Sequence, residues 1–301
     1  MCHLNNLFKY DKATCVKYLE EAKSQELWDH FLKGQSKLFF DSEFQWISKQ
    51  TWWQQAKKIL EIGSGNGAHL SKLFDRCPDK TFLGIEKLQA FVKEANALYA
   101  NDSLAFQEGD AEIFNTHLVH SADIVLFRLT LQHLQDPIAA LTNASHYVWP
   151  HGYVFIIEAC DKAKRTSHPI KAIDKALKLV EECQRTQGNG NRQISLALLQ
   201  ALVSEKSLLS KLYEVIFTNI DATGNILCDR IQFEKKDQAL HFNHSLLFLT
   251  LLHRTYQIPI DLSTAYDELQ AYSKDKEAWT SPGWHFLVLK RLTENLREVE
   301  F

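Results

Sequence analysis

The strongest constraint on the fold is a short apolar run that empties into a loop with glycine at alternate positions. Lys58-Ile59-Leu60-Glu61-Ile62 is followed at once by Gly63-Ser64-Gly65-Asn66-Gly67, and then by a stretch with Leu70, Leu73 and Phe74 at helical spacing. Strand, tight loop and helix in this order place a backbone turn where a ligand can approach the main chain closely. The pattern then repeats. Thr81-Phe82-Leu83-Gly84-Ile85, Leu104-Ala105-Phe106-Gln107, Asp123-Ile124-Val125-Leu126-Phe127 and Tyr153-Val154-Phe155-Ile156-Ile157 read as four further strands. Pro78 stops the first intervening helix, and a later one is expected to start at Pro137. Strands that are apolar throughout, alternating with helices, predict a parallel sheet covered on both faces. The expected class is therefore α/β, a doubly wound sheet with right-handed crossovers.

The flanks read differently. Residues 1–56 are predicted as an N-terminal helical arm rich in aromatics, with Trp28, Phe31, Phe39, Phe40, Trp46, Trp52 and Trp53, and with Gly34 as the expected break. Residues 57–160 form the α/β core. Residues 161–301 are expected to add helical cap insertions and the last two strands of the same sheet, near Leu212–Ile220 and Trp284–Leu289. Gly188-Asn189-Gly190-Asn191 reads as a hinge between two cap helices, the first with Ile170, Ile173, Leu177 and Val180 on one stripe.

Composition serves mainly to exclude. Lys and Arg total 34 against 37 Asp and Glu, so no overall basic footprint for nucleic acid or an anionic membrane is present. Six scattered cysteines, none at C-x-x-C spacing, indicate neither a zinc ribbon nor a redox pair, and no metal is expected. The N-terminus lacks a signal-peptide layout, and the apolar run Ser245–Leu252 is too short to span a bilayer. The expected location is the cytoplasm, with the chain a monomer or homodimer.

The ligand of the glycine loop is a nucleotide-like molecule, and its identity has two readings. Gly63-x-Gly65-x-x-Ala68 fits the NAD fingerprint. Three features favour S-adenosyl-L-methionine instead. A long segment precedes the loop, the later strands do not look like a second mononucleotide half, and Glu61 is a carboxylate at the strand end. Such a group is awkward beside a pyrophosphate and acceptable beside an ammonium and a sulfonium. Glu86, at the end of the second strand, suits ribose hydroxyls with either cofactor. Asp110, in Gly109-Asp110-Ala111 after the third strand, suits an adenine amino group, or a local backbone cap.

These segments resemble the class I S-adenosylmethionine-dependent methyltransferases, especially the small-molecule branch related to quinone-biosynthesis enzymes. The resemblance covers roughly residues 58–160. It rests on Ile59–Gly67, Gly84-Ile85-Glu86, Glu108-Gly109-Asp110-Ala111, Arg128–Pro137 and Trp149-Pro150-His151-Gly152. The segment Gly283–Leu289 resembles the family's reversed last strand, which implies a seven-stranded sheet of order 3-2-1-4-5-7-6 with the last strand antiparallel. By resemblance, Gly63, Ser64, Gly65 and Gly67 line the methionine part of the cofactor and Glu61 supports the loop. Glu86 and Lys87 lie at the ribose, Asp110 and Ala111 at adenine, and Arg128 and Leu129 beside the sulfonium. The Asn-Pro-Pro-Tyr-type motif of amino-methylating nucleic-acid enzymes is absent, as is the Pro-Asp-Pro-Trp segment of tRNA guanine-N7 enzymes.

The expected reaction is methyl transfer to oxygen, carbon or nitrogen of a small-molecule acceptor by in-line displacement, leaving S-adenosyl-L-homocysteine. His133 is the candidate base, against a packing role. Tyr10, Tyr18 and Arg192 are candidate substrate contacts, Arg192 as a bidentate clamp for an acidic acceptor. A protein or RNA methyltransferase, an NAD-dependent oxidoreductase and a catalytically silent binding module stand as alternatives.

Overall fold

A computed structural model describes residues 3–188, 190–219, 231–232 and 235–292. In chain order its elements are α1 (Lys12–Glu21), α2 (Ser24–Ile47), α3 (Thr51–Gln55), β1 (Lys58–Ile62), α4 (Ala68–Arg76), β2 (Thr81–Glu86) and α5 (Gln89–Tyr99). There follow β3 (Leu104–Glu108), β4 (Ala122–Arg128), α6 (Pro137–Tyr147), β5 (Val148–Ala159), β6 (Arg165–Thr166) and α7 (Lys171–Gln187). The remainder comprises α8 (Ile194–Val203), α9 (Leu208–Leu212), β7 (Tyr213–Asn219), β8 (Ile231–Gln232), α10 (Lys235–Tyr256), α11 (Leu262–Lys274), β9 (Trp279–Ser281) and β10 (Trp284–Arg291).

The chain divides into two compact units that interleave along the sequence. The sheet unit comprises Phe44–Ala163, Asn189–Ile226 and Gly283–Phe301. Its seven strands run in the order β3-β2-β1-β4-β5-β10-β7. Numbered among themselves, these strands have the expected 3-2-1-4-5-7-6 order. β1 to β5 pair in parallel, and β10 lies antiparallel between β5 and β7. The order reverses between β1 and β4, which opens a crevice at their carboxyl ends.

β4 is buried along almost its whole length, as expected of a strand covered on both faces. On β5 the two faces separate clearly. Val154 and Ile156 join a core with Leu287, Leu289, Leu141, Leu198 and Leu209. Phe155 faces the other way, against Trp46, Trp52 and Phe286. β5 begins five residues earlier than the expected Tyr153, because Trp149–Gly152 continue the strand across an irregular register opposite Ala122. Gly152 is required there: a Cβ would sit 2.4 Å from Val148 Cγ2 and 2.8 Å from the Asp123 carbonyl oxygen. α6 starts as expected, with Pro137 in its first turn and Asp136 accepting the Ala139 N–H at 2.9 Å.

The helical unit comprises Met1–Glu43, Lys164–Gly188 and Leu227–Pro282. Its core joins Leu19, Leu27 and Phe31 to Ile173, Val180, Phe242, Leu246, Leu249 and Leu269, with a small sheet β6-β9-β8. The expected stripe of Ile170, Ile173, Leu177 and Val180 packs into this core, as does the apolar run of α10. The expected break at Gly34 does not occur, since α2 continues through it to Ile47. One helical glycine costs only about 1 kcal/mol, and burial of Phe31, Phe39 and Phe40 around it outweighs that. Ile220, the last residue of the expected penultimate strand, falls outside the described residues. No helix among the described residues is long and apolar enough to cross a membrane.

Candidate functional site

The glycine loop leaves β1 at the crevice, and three positive φ angles make its path possible: 76° at Gly63, 55° at Gly65 and 77° at Gly67. Its amides are tied to the end of β2. Gly63 N and Ser64 N both donate to the Ile85 carbonyl, at 2.8 and 3.0 Å. Gly65 N donates to Glu86 Oε2 at 2.9 Å, while Leu88 N donates to Glu86 Oε1 at the same distance. Glu86 therefore holds the loop itself, and each oxygen keeps acceptor capacity for a ligand hydroxyl. Glu61 is buried at 2% exposure and pairs through Oε1 with His69 Nδ1 of α4 at 2.9 Å. It anchors the loop to the following helix from below, a role for His69 that the sequence did not suggest.

At the end of β3, Asp110 combines two bonds. Its Oδ1 accepts the Glu112 N–H at 3.0 Å, and its Oδ2 pairs with Lys87 Nζ at 2.7 Å. The Lys87 ammonium holds the Asp110 carboxyl below the usual carboxylate range. Lys87 and Asp110 thus join the β2 and β3 ends, and Ala111 is fixed by its carbonyl accepting from Asn143 Nδ2 at 3.0 Å. Leu88 and Ile113, which follow these acids, are large apolar side chains left 57% and 66% exposed.

The segment after β4 completes the rim. Arg128 is buried, with its guanidinium 5.1 Å from the Trp284 ring centroid. Leu129 takes a left-handed φ of 54°, which a branched side chain rarely adopts. Thr130 lies against the glycine loop so closely that a Cβ on Gly63 would be 2.4 Å from its side chain. Leu131–His133 then form a single 3-10 turn. His133 is exposed, yet desolvation, followed by the Arg192 charge, lowers its imidazole to about 4. That value leaves the ring neutral at physiological pH.

Arg192 does not stand as a solvated helix-end residue. Its Nε and Nη2 bind Asp161 at 2.6 and 2.8 Å, and Nη1 reaches Gln132 Oε1 at 3.3 Å. The bidentate edge expected for an acidic acceptor is engaged inside the protein. Tyr10 and Tyr18 belong to the helical unit, where they meet edge to face with centroids 5.2 Å apart. Among the described residues, no group of three or more His, Cys, Asp or Glu is arranged to hold a metal ion.

A residue the sequence reading passed over lies beneath this rim. Glu158, on β5, is fully buried and accepts the Thr130 and Leu131 N–H groups through Oε1, at 2.8 and 2.6 Å. Burial pushes its carboxyl up to about 8. The signal was an acid closing an otherwise apolar strand, the same signal that drew attention to Glu61 and Glu86.

The methyltransferase-domain family matches residues 60–156, from within β1 to within β5, including the glycine loop and the ends of β2, β3 and β4. Residues 60–156 thus carry a methyltransferase domain. Among relatives, the methyltransferase domain is similar to a ubiquinone biosynthesis O-methyltransferase of Vibrio atlanticus, 27% identical over 126 residues. That match covers 42% of this chain and 53% of the relative, so it spans about half the relative's length. The YcgJ protein from Bacillus subtilis aligns at a TM-score of 0.45 and 14% identity, over 85% of this chain and 99% of its own. The [4+2]-cyclase SpnF aligns at 0.47 and 11%, over 84% and 82%.

Proposed function

We propose that the crevice of the sheet unit binds S-adenosyl-L-methionine and transfers its methyl group to a small-molecule acceptor. The observation that carries this reading is the donor set at the carboxyl ends of β1, β2 and β3. Glu86 offers carboxylate oxygens to ribose hydroxyls, and Asp110 offers one to an adenine amino group. Leu88 and Ile113 supply exposed apolar surface for the faces of a planar base. The Gly63–Gly67 backbone and buried Glu61 suit a zwitterionic, cationic methionine end better than a pyrophosphate. The antiparallel β10 also departs from the all-parallel, six-stranded dinucleotide sheet, which weighs against NAD.

Held by Glu86, Asp110 and the Gly63–Gly67 backbone, the cofactor would supply an electrophilic methyl group and would leave as S-adenosyl-L-homocysteine. The chain contributes position and a dry, fixed polar frame. Arg128 and Leu129 border the reacting end. His133, neutral and exposed beside this rim, is the group placed to take up the proton that an acceptor hydroxyl or amine sheds on methylation. A base lowered to about 4 is too weak to ionise an ordinary alcohol beforehand.

The test is calorimetric titration with S-adenosyl-L-methionine and S-adenosyl-L-homocysteine, beside Glu86→Ala and an NAD control. Micromolar binding of both sulfur ligands, weakened at least about tenfold in the variant, is the expected result. Binding of NAD with neither sulfur ligand bound would refute the proposal.

A further inference from the structure

Between the proposed methyl-delivery rim and the sheet lies one carboxyl group whose hydrogen bonds all serve neighbouring backbone. We propose that Glu158 is a positioning residue, fixing Leu129–Leu131 and, through Thr130, the glycine loop in the conformation that receives the methionine end of the cofactor. This deepens the functional reading above and rests on it.

The chain of contacts is short. Oε1 of Glu158 accepts two consecutive amides, from Thr130 at 2.8 Å and Leu131 at 2.6 Å. On the other side of the turn, Leu129 N donates to the Ile157 carbonyl at 2.7 Å. Leu129 is thus held between two hydrogen-bonded anchors, both from the end of β5, and this over-determination keeps it at a φ of 54°. Without Glu158, the Thr130 and Leu131 amides would lose their acceptor, and the turn could relax to an ordinary conformation. Thr130 would move with it. Its Oγ1 donates to the Arg128 carbonyl at 3.1 Å and reaches the Gly63 carbonyl at 3.5 Å, and its side chain fills the space where Gly63 has no Cβ. A shift at Thr130 therefore frees Gly63, the first residue of the loop.

Arg192 supports the same turn from further along. Its guanidinium, oriented by Asp161, holds Gln132 Oε1, and Asn191 N donates to the Gln132 carbonyl at 2.9 Å. The Glu158 carboxyl acts here through an acceptor oxygen more than through charge. Burial pushes it up to about 8, so it is mostly the neutral acid near pH 7, and a glutamine amide offers the same acceptor oxygen.

The experiment measures S-adenosyl-L-homocysteine affinity of the full chain by calorimetry, with far-UV circular dichroism on each variant. Glu158→Gln is expected within about threefold of the parent, and Glu158→Ala at least about tenfold weaker with an unchanged spectrum. That rescue by the conservative variant separates positioning from simple burial. Parent-like affinity of a folded Glu158→Ala, or equal losses in both variants, would overturn the inference alone. A parent that binds no sulfur ligand overturns the cofactor reading and this inference with it. If Glu158→Ala does not fold, amide exchange in the parent decides the matter. Thr130 and Leu131 amides should be protected and slow further with S-adenosyl-L-homocysteine; fast exchange, indifferent to the ligand, would reject the clamp.

Discussion

In the sheet unit, backbone geometry and hydrogen bonds to carboxylates shape the candidate site, whereas the helical unit is organised by apolar stripes and aromatic contacts. The first places Glu61, Glu86 and Glu158 at the carboxyl ends of its strands, and each of them holds a loop amide or an adjacent ring. The second stacks Phe31 on His244 with centroids 4.5 Å apart and sets Phe242 edge-on to Tyr266 at 5.1 Å. The difference teaches where substitutions act. A small change in the sheet unit disturbs a turn held by a few specific hydrogen bonds, while the helical unit distributes its stability over many dispersion contacts.

The largest expected effect is therefore at Gly67. A Cβ there would lie 2.7 Å from Phe106 and 2.9 Å from Ala95, at a φ of 77°. Gly67→Ala should cost roughly 2–5 kcal/mol from overpacking and left-handed strain together, and should abolish cofactor binding. Urea unfolding and ligand titration read both. A variant as stable as the parent would break the contrast.

Next in size are two opposite pH dependences. The Glu158 carboxyl is raised from 4.5 to about 8, so the folded state keeps a proton the unfolded chain has lost. Stability should therefore fall as pH rises from about 5 to 8, by up to a few kcal/mol at about 1.4 kcal/mol per unit. Glu158→Gln should flatten that slope. His241, in the helical unit, behaves the other way. Burial, followed by the His244 and Lys164 charges, lowers it from 6.5 to about 3. Its contribution is complete above pH 6.5 and is lost as pH falls towards 3, so His241→Leu should make acid unfolding shallower. His133 and His285, both lowered to about 4, add the same acid sensitivity to the sheet unit. Melting curves across pH 4–9 should show the alkaline slope vanish only in Glu158→Gln.

Smaller effects sharpen the picture of the helical unit. Arg254 donates to the carbonyls of Leu19, Glu20 and Ala22 at 2.6–2.9 Å, closing the end of α1. Arg254→Ala should cost about 1–3 kcal/mol. The exposed pair of Lys12 and Asp267, at 2.7 Å, should matter least, and Lys12→Ala should stay within about 1 kcal/mol of the parent in denaturant unfolding.

The five parallel strands and the glycine loop were legible in the sequence because both are local. A strand buried on both faces must be apolar throughout, and a loop with three positive φ angles needs glycines at those positions. The acids at β1 and β2 were legible for the same reason, each lying at the end of an apolar run, whereas the reversed direction of the last strand was expected only from the family resemblance. Gly34 misled, since the cost of one helical glycine is small beside the apolar burial around it. Other features were settled only by tertiary contacts. Arg192 looks like any helix-end cation until Asp161, far away in sequence, takes its bidentate edge. Glu158 looks like one more strand-end acid until two amides from the preceding crossover converge on its Oε1. Periodicity and turn chemistry are properties of neighbouring residues and can be read along the chain. The partner of a buried charge is chosen by how distant segments pack, so only the assembled fold decides it.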